Sequence, residues 1–444
     1  MKRYIIFAIL TVLAVTASAE ILTLSKAVKI AQQRSGSIAI ASEKVFAARQ
    51  DALTAKSGFY PRISGQGSYT RLNETPSMTM PGPMGTSTSI KMGTADNYKF
   101  TISAQQPLFM GGAILNGYKA ASSMAQSQEN QLSVEKNNLF LDVANAWYGV
   151  IKADAFRKTA MEARLQMEEH LNTLERMYSA GILSHNELLK AKVQLSDIRM
   201  MEIQAENAVT LSRLSLNMAM GVSLDTVYEF PSERIFTDTY KSLPDLGLVI
   251  KNAIRDRQDI SVLNNMTDAA SYGLKIAKSS MAPTIVSIFN YNWENTNSSF
   301  PPELDSSWNL TIMATMDLFT AGERLHKIRK AETNLNQAEI GLSQARKGVE
   351  LEVRAQYATI RERQKEVEIA GKKLEQAEEG YKVASAEFKH GVVTSTDVLD
   401  ASTALVGAKT DYVSSLSDLQ IAYFKFEVVS GLEPSINKKI GEEL

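Results

Sequence analysis

The chain contains no cysteine. That excludes disulfides, thiolate zinc sites and a lipidated N-terminal cysteine. Histidine is nearly as scarce, occurring only at 170, 185, 326 and 390. No HExxH, GxSxG or EF-hand pattern surrounds any of them, and Gly65-Gln66-Gly67 lacks the rest of a nucleotide fingerprint. No catalytic residue, metal or cofactor is expected, and the chain reads as not an enzyme. A formal net charge of −1 argues against electrostatic capture of nucleic acid. Tryptophan is confined to Trp147, Trp293 and Trp308. Proline is unevenly spread: residues 108–230 and 303–433 contain none. Because proline breaks helix interiors, these two stretches are free to form very long helices.

Long hydrophobic runs are also missing, with one exception. Residues 1–19 carry a basic start (Lys2, Arg3), an apolar core from Ile5 to Val15 and the small-residue ending Ala17-Ser18-Ala19. This is the pattern of a secretory signal cut before Glu20. No other run of 18 apolar residues follows, so the exported chain is expected to be soluble or to enter a membrane as β-strands.

The proline-free stretches carry heptads. Ile328, Leu335, Leu342 and Val349 recur every seven residues, with Ala331, Ala338 and Ala345 between them. Small residues in such a seam suit closely packed helices. The stripe continues through Val353, Tyr357, Ile360, Val367 and Leu374.

The chain also repeats itself. YKFTISAQQPLFMGG (Tyr98–Gly112) matches WNLTIMATMDLFTAG (Trp308–Gly322) at an offset of 210, and MYSAGILSHNELLKA (from Met177) matches EFKHGVVTSTDVLDA (from Glu387) at the same offset. Upstream, Pro61 and Pro283 differ by 222, so about 12 extra residues fall in the first half, within the polar loop Asn73–Asp96. The period is far longer than a solenoid unit and reads as a tandem duplication.

Between the helical regions lie segments of period two. Ile285, Ser287, Phe289, Tyr291 and Trp293 alternate with Val286, Ile288, Asn290 and Asn292; Trp308, Leu310, Ile312, Ala314 and Met316 alternate with Asn309, Thr311, Met313, Thr315 and Asp317. Tyr98, Phe100, Ile102 and Ala104 behave alike, and Ile63, Gly65, Gly67 and Tyr69 more weakly. One apolar and one polar face is the signature of a barrel strand in an outer membrane, or of one face of a soluble sheet. Four strands cannot close a barrel, for which roughly eight are the least, and open edges are not tolerated in lipid. Several chains would have to share one barrel: two would give eight strands, three would give twelve.

The expected organisation is a signal peptide 1–19; a first repeat 20–220 with strands near 61–72 and 97–107, a long helix near 111–179, a tip turn 180–184 and a return helix; a linker 221–245; a second repeat 246–430 with strands near 283–294 and 306–317, a helix near 321–389, a tip turn 390–394 and a return helix; and a tail 431–444. In each tip a glycine (Gly181, Gly391) stands where a long helix must end, followed by a hydroxyl-x-x-acid capping pattern, Ser184 to Glu187 and Thr394 to Asp397.

On the duplicated layout, the LF-x-x-G junctions (Leu108–Gly112, Leu318–Gly322) and the paired tip motifs, the sequence resembles the outer membrane efflux protein family of TolC-like channel-tunnels. The resemblance covers nearly the whole mature chain. It implies a mainly α fold with a membrane β-barrel portion: a homotrimer with a 12-stranded barrel and an α-helical periplasmic tunnel. It implies an exit duct in the outer membrane, with its helical part in the periplasm. Its partners would be further copies of itself, outer-membrane lipid, a periplasmic adaptor and an inner-membrane transporter of RND, ABC or MFS type. Drugs, small molecules or, as in type I secretion, proteins would pass passively. It implies that Asp397 and Asp400 line the periplasmic aperture. Spaced i, i+3, these acids can share one helix face, and in a threefold ring such carboxylates favour cations and raise one another's pKa. Tyr178, Gly181, Ser184, Glu187, Leu189, Phe388, Gly391, Thr394 and Leu399 would be the adaptor-contacting tip residues, and Lys190 a tip ion-pair partner. The chain departs from the family pattern at Val393, where the basic residue of a closing latch is missing. His185 and His390 near the tips read as surface residues. The competing reading is a periplasmic coiled-coil adaptor or scaffold, which accounts for the signal and the heptads but not for two pairs of amphipathic strands.

Overall fold

The computed structural model describes residues 21–75, 77–91, 94–230, 242–295 and 304–432. The expected signal peptide and nearly all of the tail lie outside these residues, as do 231–241 of the linker. In chain order the elements are α1 (Leu24–Arg34), α2 (Gly36–Ser57), β1 (Arg62–Arg71), β2 (Ser77–Pro81), β3 (Ser87–Lys91), β4 (Asp96–Phe109), α3 (Ala113–Ser179), α4 (His185–Met220), α5 (Leu246–Asp256), α6 (Gln258–Ser279), β5 (Thr284–Glu294), β6 (Asp305–Thr315), α7 (Glu323–Lys389) and α8 (Ser395–Val429). Helices α3 and α7 each run 67 residues, about 100 Å at 1.5 Å per residue. No described helix is long and apolar enough to cross a membrane. The chain divides into two compact units, one of residues 42–131 and 259–345, the other of the remainder.

The first unit holds an antiparallel sheet in the order β1-β4-β5-β6. Its central seam pairs β4 of the first repeat with β5 of the second. The register stacks the period-two patterns in phase. Ile63, Gly65, Gly67 and Tyr69 sit opposite Ala104, Ile102, Phe100 and Tyr98. The last three of these oppose Tyr291, Trp293 and the bond partner Asn295 of the neighbouring strand end, while Ala104 opposes Phe289. Phe289 and Tyr291 in turn oppose Leu310 and Trp308. One face is therefore apolar through the middle of all four strands; Gln106, Ser287 and Ser306 interrupt it, and Arg71 and Asp96 end it on one side. The other face carries Ser64, Gln66, Ser68, Thr101, Ser103, Asn290, Asn292, Asn309 and Thr311. Thr101 Oγ1 donates to Asn292 Oδ1 at 2.9 Å on that side. A one-residue slip would invert both faces, so the pattern itself fixes the register.

Phe100 crosses the two glycines of β1: a Cβ on Gly67 or Gly65 would lie 3.8 or 3.9 Å from its ring. The aromatic covers backbone that those residues leave bare. Charge collects at one end of the sheet. Arg71 Nη1 lies 3.2 Å from Asp96, and Lys99 Nζ lies 3.4 Å from Glu294, which pairs in register with Asp305. β6 stops at Thr315, short of the expected Met316 and Asp317, and β4 shifts register between Pro107 and Phe109, where proline has no N–H to give the ladder.

The described residues of the expected loop 73–96 contain strand. They fold β2 against β3 as a hairpin, through a short turn Pro83–Gly85 in which Gly85 has φ +79°. Met78 and Met80 alternate with Thr79 there, a short period-two run that the density of Gly, Pro and Ser obscures.

The second unit is helical. Thr23 caps α1, accepting from Lys26 N, and Leu24, Ala27, Val28 and Ala31 bury one face at helical spacing. That face joins a core of Phe140, Val143, Trp147, Val150, Leu216, Met220 and Phe424 from α3, α4 and α8. Leu22 is wholly buried; its N–H donates to Glu229 O at 2.7 Å, and Trp147 Nε1 donates to its carbonyl at 3.3 Å. Gly221, φ +69°, ends α4 in a Schellman turn, with Val222 N bonded to Asn217 O.

Candidate functional site

Both helical reversals lie in the second unit and are built from one local grammar. At the first, Gly181 (φ +73°) follows α3; its N–H donates to Tyr178 O at 2.9 Å and Ile182 N donates to Met177 O at 2.9 Å. At the second, Gly391 (φ +73°) donates to Phe388 O at 3.0 Å and Val392 N to Glu387 O at 3.0 Å. These are two Schellman turns, each needing a residue that enters the left-handed region without a side-chain clash. Two residues later the return helix is capped. Ser184 accepts from Glu187 N at 3.3 Å. Thr394 forms a full capping box, its Oγ1 accepting from Asp397 N while the Asp397 carboxylate accepts from Thr394 N at 2.7 Å and Oγ1 at 2.6 Å.

The expected aperture acids thus differ in what they do. Asp397 is turned back onto the cap, and Thr394's hydrogen bonds hold its pKa below the ordinary carboxylate value. Within one chain that is opposite to the raised values expected of an acid ring. Asp400, one turn on, is exposed and makes no hydrogen bond or ion pair among the described residues. Lys190, at the matching place in the first repeat, lies 3.8 Å from Glu187 of its own helix.

The tip surface is mixed. Tyr178 and Leu189 are exposed, as are Ile182 and Val392, the residues after the two glycines, at about 70% each. Phe388, expected on the contacting surface, is buried, and Leu399 packs half-buried against the same core. That core draws on both hairpins: Met167 and Leu174 from α3, Leu188 and Leu195 from α4, Phe388 from α7 and Val398 from α8. Val393 packs against it too, so the position without the latch residue serves the apolar core instead. Further up, Arg164 bridges Glu168 (2.8 Å) and Glu202 (2.8 Å), and Arg199 reaches Glu168 (3.1 Å), tying α3 to α4. His185 stacks near Tyr178, ring centres 5.3 Å apart.

One tip residue escapes a reading of motifs. His170 Nε2 lies 2.9 Å from Ser395 Oγ, and burial pushes its pKa down. Its partner is 225 positions away, so no local pattern pairs them. The available signal was spacing: Ala163, Met167, His170 and Leu174 step by four, three and four, placing the imidazole in a buried seam. Among the described residues no group of three or more His, Asp or Glu could hold a metal. The arrangement offers a capped reversal carrying one unengaged carboxylate, Asp400, and exposed apolar contact points; the one hydroxyl that meets an imidazole here, Ser395, is 2% exposed.

The model of the family described as outer membrane efflux protein matches residues 27–222 and 249–431. The outer membrane protein TolC of Vibrio cholerae serotype O1 (strain ATCC 39315 / El Tor Inaba N16961) is 20% identical over 313 residues, 68% of this chain and 71% of the relative. Among solved structures, CusC superposes with a TM-score of 0.79 at 17% identity, covering 92% of each chain. The outer membrane protein VceC from Vibrio cholerae does so with a TM-score of 0.76 at 17% identity, covering 92% of this chain and 96% of that one. At such identities the structural likeness speaks for the fold.

Proposed function

The chain belongs to the outer membrane efflux protein family and is an outer-membrane efflux channel, and from that premise we propose that three copies pool their sheets into one closed twelve-stranded barrel and their long helices into a shared duct. The observation that carries this is the sheet β1-β4-β5-β6: a largely apolar face, a largely polar face and, at β1 and β6, edges that no described strand covers. In lipid those edges demand partners, and the edges of identical copies are the partners at hand. The polar face lines the lumen and the apolar face meets acyl chains.

The tips form the periplasmic mouth, where Asp400 from each copy sets a negative ring that favours cations. The Thr394–Asp397 box holds that mouth in shape rather than adding free charge to it. Tyr178, Leu189, Ile182 and Val392 are the accessible apolar points for a periplasmic adaptor, which links the duct to an inner-membrane transporter. Drugs, small molecules or proteins pass without covalent chemistry.

The test is extraction from outer membranes with mild detergent. A band of about three chain masses that collapses to one on boiling is expected. A chain that leaves the membrane without detergent as a monomer would overturn the barrel and favour the coiled-coil adaptor. Deleting the gene and screening for drug sensitivity and missing secreted proteins identifies the cargo.

A further inference from the structure

His170 occupies a place in the tip core that an apolar residue would fill more simply. Ala163, Met167 and Leu174, its seam neighbours on α3, are all buried. Its ring meets Phe388 at 5.0 Å between centres, and its Nε2 meets the hydroxyl of Ser395, which is itself only 2% exposed. Phe388 lies three residues before Gly391, and Ser395 opens α8 directly after the cap Thr394. One imidazole on a first-repeat helix therefore holds both arms of the second-repeat tip.

We propose that His170 is the positioning residue of the second-repeat tip: its neutral ring docks that tip on α3, and protonation releases it, so the tip bearing Asp400 loosens in acid. The proposal rests on the reading above only in calling that tip the mouth; the docking stands without it. A neutral imidazole and a hydroxyl satisfy each other in either tautomer. An imidazolium would be a charge in an apolar seam, beside the N-terminus of α8, whose dipole already disfavours cations.

No neighbouring carboxylate relieves it. The titratable groups near the tip on the surrounding elements include Glu168, Glu169 and Glu175 on α3, His185, Glu187 and Lys190 on α4, Tyr381 and Glu387 on α7 with His390 just after it, and Asp397 and Asp400 on α8. Glu187 faces Lys190, Asp397 is held by Thr394, and the charge of Glu169 acts on the half-buried Tyr381. Among the described residues the ring meets Ser395 and Phe388, and no carboxylate bonds it. Since burial lowers the folded-state pKa, docking is complete above the ordinary value of 6.5 and is lost as pH falls through the folded one.

The experiment is hydrogen exchange on the full-length oligomer in detergent at about pH 7.5 and about pH 5, the window in which histidine titrates. Protection factors, which divide out the intrinsic pH dependence of exchange, are compared for residues 388–399. They are expected to fall several-fold in acid in the wild type. In His170→Gln, which keeps a polar partner for Ser395 but cannot titrate there, the fall disappears. Ser395→Ala lowers protection already at the higher pH and serves where the glutamine variant fails to assemble. Equal protection at both pH values in an intact wild-type oligomer, an undiminished acid loss in His170→Gln, or full neutral-pH protection in Ser395→Ala overturns the proposal. Failure of the barrel reading appears separately, as loss of the oligomer band.

Discussion

Asp397 Oδ2 lies 2.6 Å from Thr394 Oγ1 and 2.7 Å from Thr394 N, so this carboxylate spends its hydrogen-bonding capacity on the start of α8. Asp400 has no such engagement among the described residues. The two acids should therefore separate on mutation. Asp400→Asn is expected to reduce cation selectivity and block by multivalent cations in planar bilayers, with little effect on tip order. Asp397→Asn is expected to do the reverse, raising exchange of the first-turn amides of α8. Thr394→Ala should resemble it, at about 1 kcal/mol of local stability. Equal electrical effects from both acids would show that Asp397 leaves its cap in the assembled channel. Because hydrogen bonding lowers the Asp397 pKa, its stabilising effect is present above the ordinary carboxylate value of 3.8 and is lost as pH falls through the folded-state value.

Ile312 and Thr311 are neighbours on opposite faces of β6, near the middle of the stretch between Asp305 and Asp317. Lysine at 312 would place a charge on the lipid side, at a cost of about 2–4 kcal/mol near the bilayer midplane. Ile312→Lys should impair insertion and lower the yield of oligomer in outer-membrane fractions. Thr311→Lys should insert normally and shift conductance toward anions. Comparable insertion of the two variants would mean that the apolar face does not meet lipid.

The fold class was legible because both of its periods are strict. Ile328, Leu335, Leu342 and Val349 keep a seven-residue beat, and Phe289, Tyr291 and Trp293 keep a two-residue one, so helix and sheet could be told apart without alignment. What escaped depends on contacts distant in sequence or on weak local signals. The hairpin β2–β3 hides in a loop rich in Ser, Thr, Gly and Pro. The burial of Phe388 follows from α3 packing across it, which no residue near Phe388 announces. The split of Asp397 from Asp400 is rotameric: i, i+3 spacing puts both on one helix face but does not say that one folds back on its cap.

The glycines that end helices should rank by the space around them. Gly181 and Gly391 share φ +73°, and a Cβ at either meets nothing within 4 Å. Replacing either by Ala should cost only the left-handed backbone penalty, about 1–2 kcal/mol. Gly221 has φ +69° as well, but a Cβ there would sit 2.7 Å from Arg34 O. Gly221→Ala must also displace backbone at the end of α1, so its melting temperature should fall furthest of the three. A series in which all three variants melt together would show that the contact with Arg34 relaxes freely.

Trp147 is the remaining place where a single contact can be isolated. Its indole is 4% exposed and its Nε1 donates to Leu22 O at 3.3 Å, while Leu22 N–H donates to Glu229 O. The wholly buried Leu22 thus has each backbone group held by a different partner, which fastens the start of the described chain to α3. Trp147→Phe keeps most of the apolar volume but strands the Leu22 carbonyl, a loss of about 1–3 kcal/mol. Trp147→Ala adds a cavity and should cost about 3–5 kcal/mol. Hydrogen exchange of α1 should rise in both, because its buried face packs in the same core. If the phenylalanine variant matches the wild type in exchange and melting, the Leu22 carbonyl finds another donor, and the tryptophan is there for its bulk alone.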